Sequence, residues 1–175
     1  MAKLVLIGGP PGVGKSTVLR HVERAFERCA CLDADDAWRV HPFEVTPETG
    51  AIFMRNVVSV LRGYLEAGYP LVMLTWVLAN PELIARLLAG LEGRHQEVLI
   101  LHLVATPEAL SERCARDAER PRPLPYVLQK LEEIQALPYA KIDVTGLETR
   151  AVAARVVAEV RRSFGRDSGR ETSEP

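Results

Sequence analysis

Between a short apolar run, Lys3 to Ile7, and an amphipathic stretch that opens at Ser16 stands Gly9-Pro10-Pro11-Gly12-Val13-Gly14-Lys15-Ser16. The segment fits G-x-x-x-x-G-K-[ST] at every fixed position, and a strand before it with a helix after it is the context that such a loop requires. The physical demand is narrow. Backbone N–H groups must curl around an anion, which needs positions free of Cβ clashes. The helix that follows turns its positive end toward the same anion. Gly9, Gly12, Val13, Gly14, Lys15, Ser16 and Thr17 are therefore the candidate contacts for nucleotide phosphates, with Lys15 reaching the terminal phosphates and Ser16 offering its hydroxyl to Mg²⁺.

The rest of the chain alternates short apolar runs with helical stripes. Apolar runs at 29–32, 71–78 and 98–104, the last nearly all apolar, and a fifth short strand at 141–144 follow the first one. Helical spacing marks 16–28, the stripe Ile52 to Leu65 after Thr46-Pro47, the stretch after Asn80-Pro81, the stretch after Thr106-Pro107, a short segment 126–136, and 148–164. Proline just inside a helix start costs no hydrogen bond, and Asn or Thr before it caps the first turn. Strands that are apolar throughout rather than alternating belong to a parallel sheet covered on both faces. The expected architecture is α/β, with one domain over 1–164 that includes a short lid around 113–125, and a disordered polar tail at 165–175.

With 175 residues and a formal net charge of −1, the chain suits one core and has no general pull toward nucleic acid or anionic membranes. No apolar run reaches the roughly 18 residues of a membrane span. Cys29, Cys31 and Cys114 are an odd set with no disulfide or zinc spacing, and they read as reduced thiols of a cytoplasmic protein.

Two further groups bear on chemistry. Leu32-Asp33-Ala34-Asp35-Asp36 closes the second strand, at the sheet edge where open α/β proteins collect ligands. One carboxylate there can serve a metal and another can accept a proton from a substrate hydroxyl, although Asp also suits a plain turn. Arg113, Arg116, Arg120 and Arg122 precede or enter a stretch broken by Pro121, Pro123 and Pro125. Arginine donors stabilise charge in phosphoryl transfer, and a lid would exclude water. The same arginines also suit a solvated face, with Glu112 and Arg116 paired at i,i+4. Trp38 and Trp76 suit either a substrate pocket or the core.

Taken in order, the phosphate loop, Leu32-Asp33-x-Asp35 and the arginine-rich break resemble the small P-loop kinases related to gluconate, shikimate and adenylylsulfate kinases and to the nucleoside monophosphate kinases. Ile142-Asp143-Val144-Thr145-Gly146-Leu147 resembles the closing segment of that group. The resemblance implies a three-layer P-loop NTPase fold whose five-stranded parallel sheet runs in the order 2-3-1-4-5. It implies ATP and Mg²⁺, with the γ-phosphoryl passing to a small-molecule acceptor: a hydroxylated metabolite, an antibiotic or a nucleotide. It makes Asp33 the metal's carboxylate beside Ser16, and Asp35 the residue that meets the acceptor hydroxyl. Lys15 and Arg113, Arg116 or Arg120 become the charge-stabilising groups, and Thr145 and Gly146 border the adenine. The chain departs from the pattern at Leu74-Thr75-Trp76, where the usual acidic residue after strand three is missing, and at 38–43, which match no substrate motif.

A GTPase switch would need D-x-x-G after strand three, but Asp143-Val144-Thr145-Gly146 falls after the last strand. An ATPase or nucleotide-dependent binding module without an acceptor is the remaining alternative. No long nucleic acid or membrane is expected as a partner, and the chain is expected as a monomer or homodimer.

Overall fold

A computed structural model of the chain describes residues 2–116 and 122–165. Its elements are β1 (Ala2–Gly8), α1 (Lys15–Val22), β2 (Ala30–Asp33), α2 (Pro47–Glu66), β3 (Leu71–Thr75), α3 (Pro81–Gly90), β4 (His95–Val104), α4 (Pro107–Arg116), α5 (Leu124–Ala136), β5 (Ala140–Asp143) and α6 (Thr149–Phe164). The five strands form one sheet in the order β2-β3-β1-β4-β5, and every pairing is parallel. This is the expected order, with helices on both faces.

β1 is central, and its side chains show why it is apolar at nearly every position. Val5 and Ile7 enter the core shared with α1, α5 and α6. Leu4 and Leu6 enter the core shared with α2 and α3. All four are 0% exposed. Strand alternation thus feeds two separate cores, and a polar residue on either face would lie buried without a partner.

Local chemistry sets the helix starts. Thr46 and Thr49 cap α2 reciprocally: the Thr49 N–H donates to Thr46 Oγ1 (3.2 Å) and the Thr46 N–H to Thr49 Oγ1 (2.9 Å). Asn80 Oδ1 accepts from the N–H groups of Glu82 and Leu83 at the start of α3. Each such cap is worth about 1 kcal/mol.

The structure shifts three boundaries. β3 ends at Thr75 rather than at residue 78, because the chain turns out of the ladder: Leu78 is buried with φ +50. α1 is α-helical only to Val22; a single 3-10 turn follows at 23–25, and Phe26 is extended at φ −121. β4 begins at His95, three residues early, where an irregularity in pairing with Ala2 and Lys3 extends it. The last five residues of the 113–125 segment include 122–125, which are described; the tail beyond 165 is outside the described residues.

One close approach fixes the end of β1. A Cβ on Gly8 would overlap the ring of His102, a fully buried residue of β4. His102 Nε2 lies 2.9 Å from the Leu78 carbonyl, so the ring N–H sits on Nε2. The ring also stacks on Tyr139 at 5.8 Å between centroids. Burial lowers its pKa, against the opposing effect of the Leu78 carbonyl. The neutral ring thus spans from the last residue of β1 to the turn after β3. Gly8→Ala is expected to cost about 1–3 kcal/mol by overpacking, measured by urea denaturation. Gly8→Ala combined with His102→Ala should lose less than the sum of the two single variants. Strict additivity would contradict the contact.

Candidate active site

All five strands run the same way, so their carboxyl ends share one edge, and the loops leaving that edge carry the candidate residues. The loop from Gly9 to Gly14 takes left-handed backbone at Gly9 (φ 153), Gly12 (φ 80) and Gly14 (φ 103). A side chain at Gly9 would also meet the Leu103 carbonyl oxygen at 2.7 Å. Val13 is only 2% exposed and packs in the core, so its backbone alone is offered to a ligand. Gly14 caps α1, and its carbonyl accepts the first helical bond from the Val18 N–H at 2.9 Å. The N–H groups of Lys15, Ser16 and Thr17 therefore lie in the first turn, free of helical partners.

Lys15 folds back across this loop. Its ammonium donates to the Gly9 carbonyl at 2.8 Å and to the Pro10 carbonyl at 3.0 Å. Burial lowers its pKa from 10.5 to about 8, opposed first by Asp35 and then by Asp33. Both carboxylates of the β2 turn are thus close enough to act on Lys15. Asp33 caps the turn, with its Oδ1 3.4 Å from the Asp35 N–H. Asp36 is turned outward and pairs with Arg39 at 2.8 Å, both exposed.

The arginines separate. Arg113 is half-buried and donates to the Val13 carbonyl (2.9 Å) and the Val144 carbonyl (3.2 Å), tying α4 to the phosphate loop and to the end of β5. Arg116 stands in solvent, 3.5 Å from Glu112, with 80% of its side chain exposed. Arg120 lies outside the described residues. Arg122, grouped in the sequence with the other three arginines, is close enough to Lys15 to depress its pKa.

Beside the loop is a cleft of about 220 Å³ between α1, α4 and the start of α6. Gly12, Gly14 and Thr17 form one wall; Val144, Leu147 and Val152 form the opposite one. Thr145 and Gly146 shape that wall without lining it. The Leu147 N–H donates to the Val144 carbonyl across the turn (3.2 Å), Gly146 supplies φ 67, and Thr145 Oγ1 accepts from the Thr106 N–H (3.0 Å). Val144 and Val152 belong to the core as well, at 1% and 3% exposed, and none of the three stood out in the sequence as a cleft residue.

These residues fit a nucleotide. The loop is a cradle that side chains at Gly9, Gly12 or Gly14 would fill or strain, and the Lys15 ammonium lies within it. They also fit Mg²⁺. Among the described residues no group of three or more His, Cys, Asp or Glu side chains can hold a metal. Mg²⁺ carried on phosphates needs only one or two protein ligands, which Ser16 and Asp33 can supply.

The family model for an AAA domain matches residues 5–136. The chain belongs to that family. No curated protein matches it in sequence. Solved structures share its fold. The tunicamycin resistance protein of Deinococcus radiodurans is 20% identical, with a TM-score of 0.72 over 91% of this chain and 96% of that one. A sugar kinase from a Janibacter species is 17% identical, with a TM-score of 0.69 over 94% and 95%. Shikimate kinase from Acinetobacter baumannii, solved with shikimate, is 21% identical, with a TM-score of 0.63 over 93% and 94%. The resemblance to small P-loop kinases therefore holds for the fold over nearly the whole chain. No described helix is long and apolar enough to cross a membrane.

Lys15 gives this site a proton signature. Near pH 8.5 part of Lys15 is neutral in the free protein, and phosphate anions raise its pKa, so nucleotide binding takes up protons. Calorimetry of MgATP binding at pH 8.5, in two buffers of different ionisation enthalpy, should show net uptake. The uptake should vanish in Lys15→Arg, whose guanidinium stays charged.

Proposed function

We propose that the chain is a phosphotransferase that moves the γ-phosphoryl of MgATP to a hydroxyl of a small-molecule acceptor. The observation that carries this reading is the convergence of Asp33 and Asp35 on Lys15 at the mouth of the glycine cradle. A loop built only to hold a nucleotide needs the lysine and the glycines. A second carboxylate, exposed and facing the same ammonium, supports an acceptor on the other side of the transferred group.

In this reading the backbone N–H groups from Gly12 to Thr17 hold the phosphates, with Gly9 giving the loop its turn. Ser16 and Asp33 hold Mg²⁺, which neutralises charge on the phosphates when bound. Lys15 lies along the path of the transferred group. Asp35 orients the acceptor hydroxyl and accepts its proton. Such transfer is mostly positioning and charge stabilisation, and the groups needed for both are at hand. Arg113 holds the phosphate loop against the wall that Thr145 and Gly146 shape around the base. Arg116 and Arg120 remain the lid arginines of the 113–125 segment, and Arg122 joins them because its charge acts on Lys15.

The test is ADP release from MgATP with nucleoside monophosphates, sugar acids and neutral hydroxylated compounds supplied as separate pools. Stimulation by one pool, lost in Lys15→Ala, is the expected result. Slow turnover that no pool changes would favour an ATPase or a nucleotide-dependent binding module instead. Asp35→Asn should lower acceptor-dependent turnover by about 100-fold or more, the usual scale for a lost general base, while MgATP affinity stays within about twofold. A collapse of MgATP affinity would move Asp35 to the metal.

A further inference from the structure

The turn that carries Asp35 also carries an aromatic strip. Trp38 closes that turn, its N–H donating to the Asp35 carbonyl at 3.2 Å. Its indole stacks on Phe53 of α2 (centroids 4.5 Å apart, 24° between planes), and Phe53 meets Trp76 at 4.8 Å. Trp76 follows Thr75, the β3 residue in register with Asp33. Phe43 completes the strip at 5.4 Å from Trp38. Phe53 is buried at 2%, but Trp38 and Trp76 are only half-buried and Phe43 is 60% exposed. Val40 and Val45, in the same connection from the acidic turn to α2, are exposed as well.

Two polar groups in this strip lack partners. The Trp38 indole N–H and the Thr75 hydroxyl are both inaccessible, and neither has a hydrogen-bond partner among the described residues. A buried donor without an acceptor costs about 1–3 kcal/mol, and a ligand oxygen or ring nitrogen that meets the indole as the half-buried Trp38 ring turns toward it would remove that cost. The charges of the turn itself disfavour an anion against the strip, and the cations that act there, Lys15 and Arg122, are assigned above to the transferred phosphoryl. Asp33, Asp35 and Asp36 stand together at the mouth, Arg39 is held by Asp36, and Arg55 is two positions beyond Phe53 on the opposite face of α2.

We infer that the acceptor's hydroxyl is carried on an uncharged planar ring system, seated against Trp38, Trp76 and Phe43, rather than on a sugar acid or a nucleoside monophosphate. The ring's carbonyl or ring nitrogen accepts from the Trp38 indole, and its hydroxyl reaches Asp35. This deepens the phosphotransferase reading and rests on it for the identity of the ligand as an acceptor.

The chain has two tryptophans, and both belong to this strip, so their fluorescence reports on it directly. The full chain, without nucleotide, is titrated with pyrimidine nucleosides and neutral aryl alcohols, and separately with gluconate, shikimate and thymidine monophosphate. The neutral probes are expected to quench tryptophan emission saturably at submillimolar to millimolar levels, and the anionic ones are not. Phe43→Ala, at an exposed position that leaves the fold intact, should weaken the neutral probes about 3- to 10-fold, the scale of one lost aromatic contact. In turnover it should raise KM by that factor with kcat within about twofold. Trp38→Phe should weaken only those probes that carry a ring acceptor for the indole N–H. Tighter binding of an anionic probe, or no quenching by any neutral probe, overturns the inference. Quenching by neutral probes without any ADP release leaves the strip standing and removes the phosphotransferase reading. ADP release stimulated by an anionic pool does the reverse.

Discussion

The part-buried Lys15 ammonium lies under two backbone carbonyls of its loop, and burial lowers its pKa to about 8. A cation in such a place is held at a cost, which the two carbonyls and nearby anions offset. Asp33 and Asp35 do so in part, which is why the turn after β2 bears on the turn after β1. The rest of the offset is left to a ligand, so the loop is tensioned toward phosphate before any arrives. The surrounding packing keeps the loop from relaxing. Val13 is anchored in the core, Gly9 is pressed against Leu103, and Arg113 ties the Val13 carbonyl to α4 and to the end of β5. Because α4 leads toward the arginine-rich segment, the same guanidinium links the phosphate loop to the helix that precedes that segment.

Where periodicity and composition decide, the fold was legible in the sequence. β1, β3 and β4 are largely apolar because both faces of each are covered, and their nearly unbroken apolar stretches state that directly. The starts of α2 and α3 were legible because Thr46-Pro47 and Asn80-Pro81 carry their own hydrogen-bond acceptors. The strand order came from the resemblance to small P-loop kinases and not from the pattern, since periodicity carries no information about neighbours in a sheet. The ends of elements were less legible. β3 stops at Thr75 because Leu78 adopts a left-handed conformation held by the His102 ring, a contact between residues 24 apart. α1 loses its α geometry at Glu23 although the apolar spacing continues to Phe26.

For the candidate site the division is similar. The glycines, Lys15 and the two aspartates are local in sequence, and the structure brings them to one edge because parallel strands must end there. The arginines are spaced on a helix, and helical spacing alone cannot tell which side meets the loop. Arg113 turns inward to two carbonyls, while Arg116, three residues on, pairs with Glu112 in water. The cleft wall of Val144, Leu147 and Val152 was not legible because its residues also serve the core, and apolar spacing does not tell a cleft-lining residue from a packed one. Trp38 and Trp76 were ambiguous for that reason too. Both are half-buried and pack against the core of α2 and α3, and of the two only Trp38 has an indole N–H without a partner among the described residues.

The central claim is that phosphate held over Lys15 passes to a hydroxyl beside Asp35 and not to water. A single-turnover reaction with ATP labelled in the γ-phosphate, run with enzyme in excess and with a pool of neutral ring-bearing alcohols, tests it most directly. The account predicts that the label appears on an acceptor as a phosphate ester before free labelled phosphate accumulates, and that Asp35→Asn slows that ester's formation. Label found only in free phosphate, at a rate the pool does not change, would contradict it.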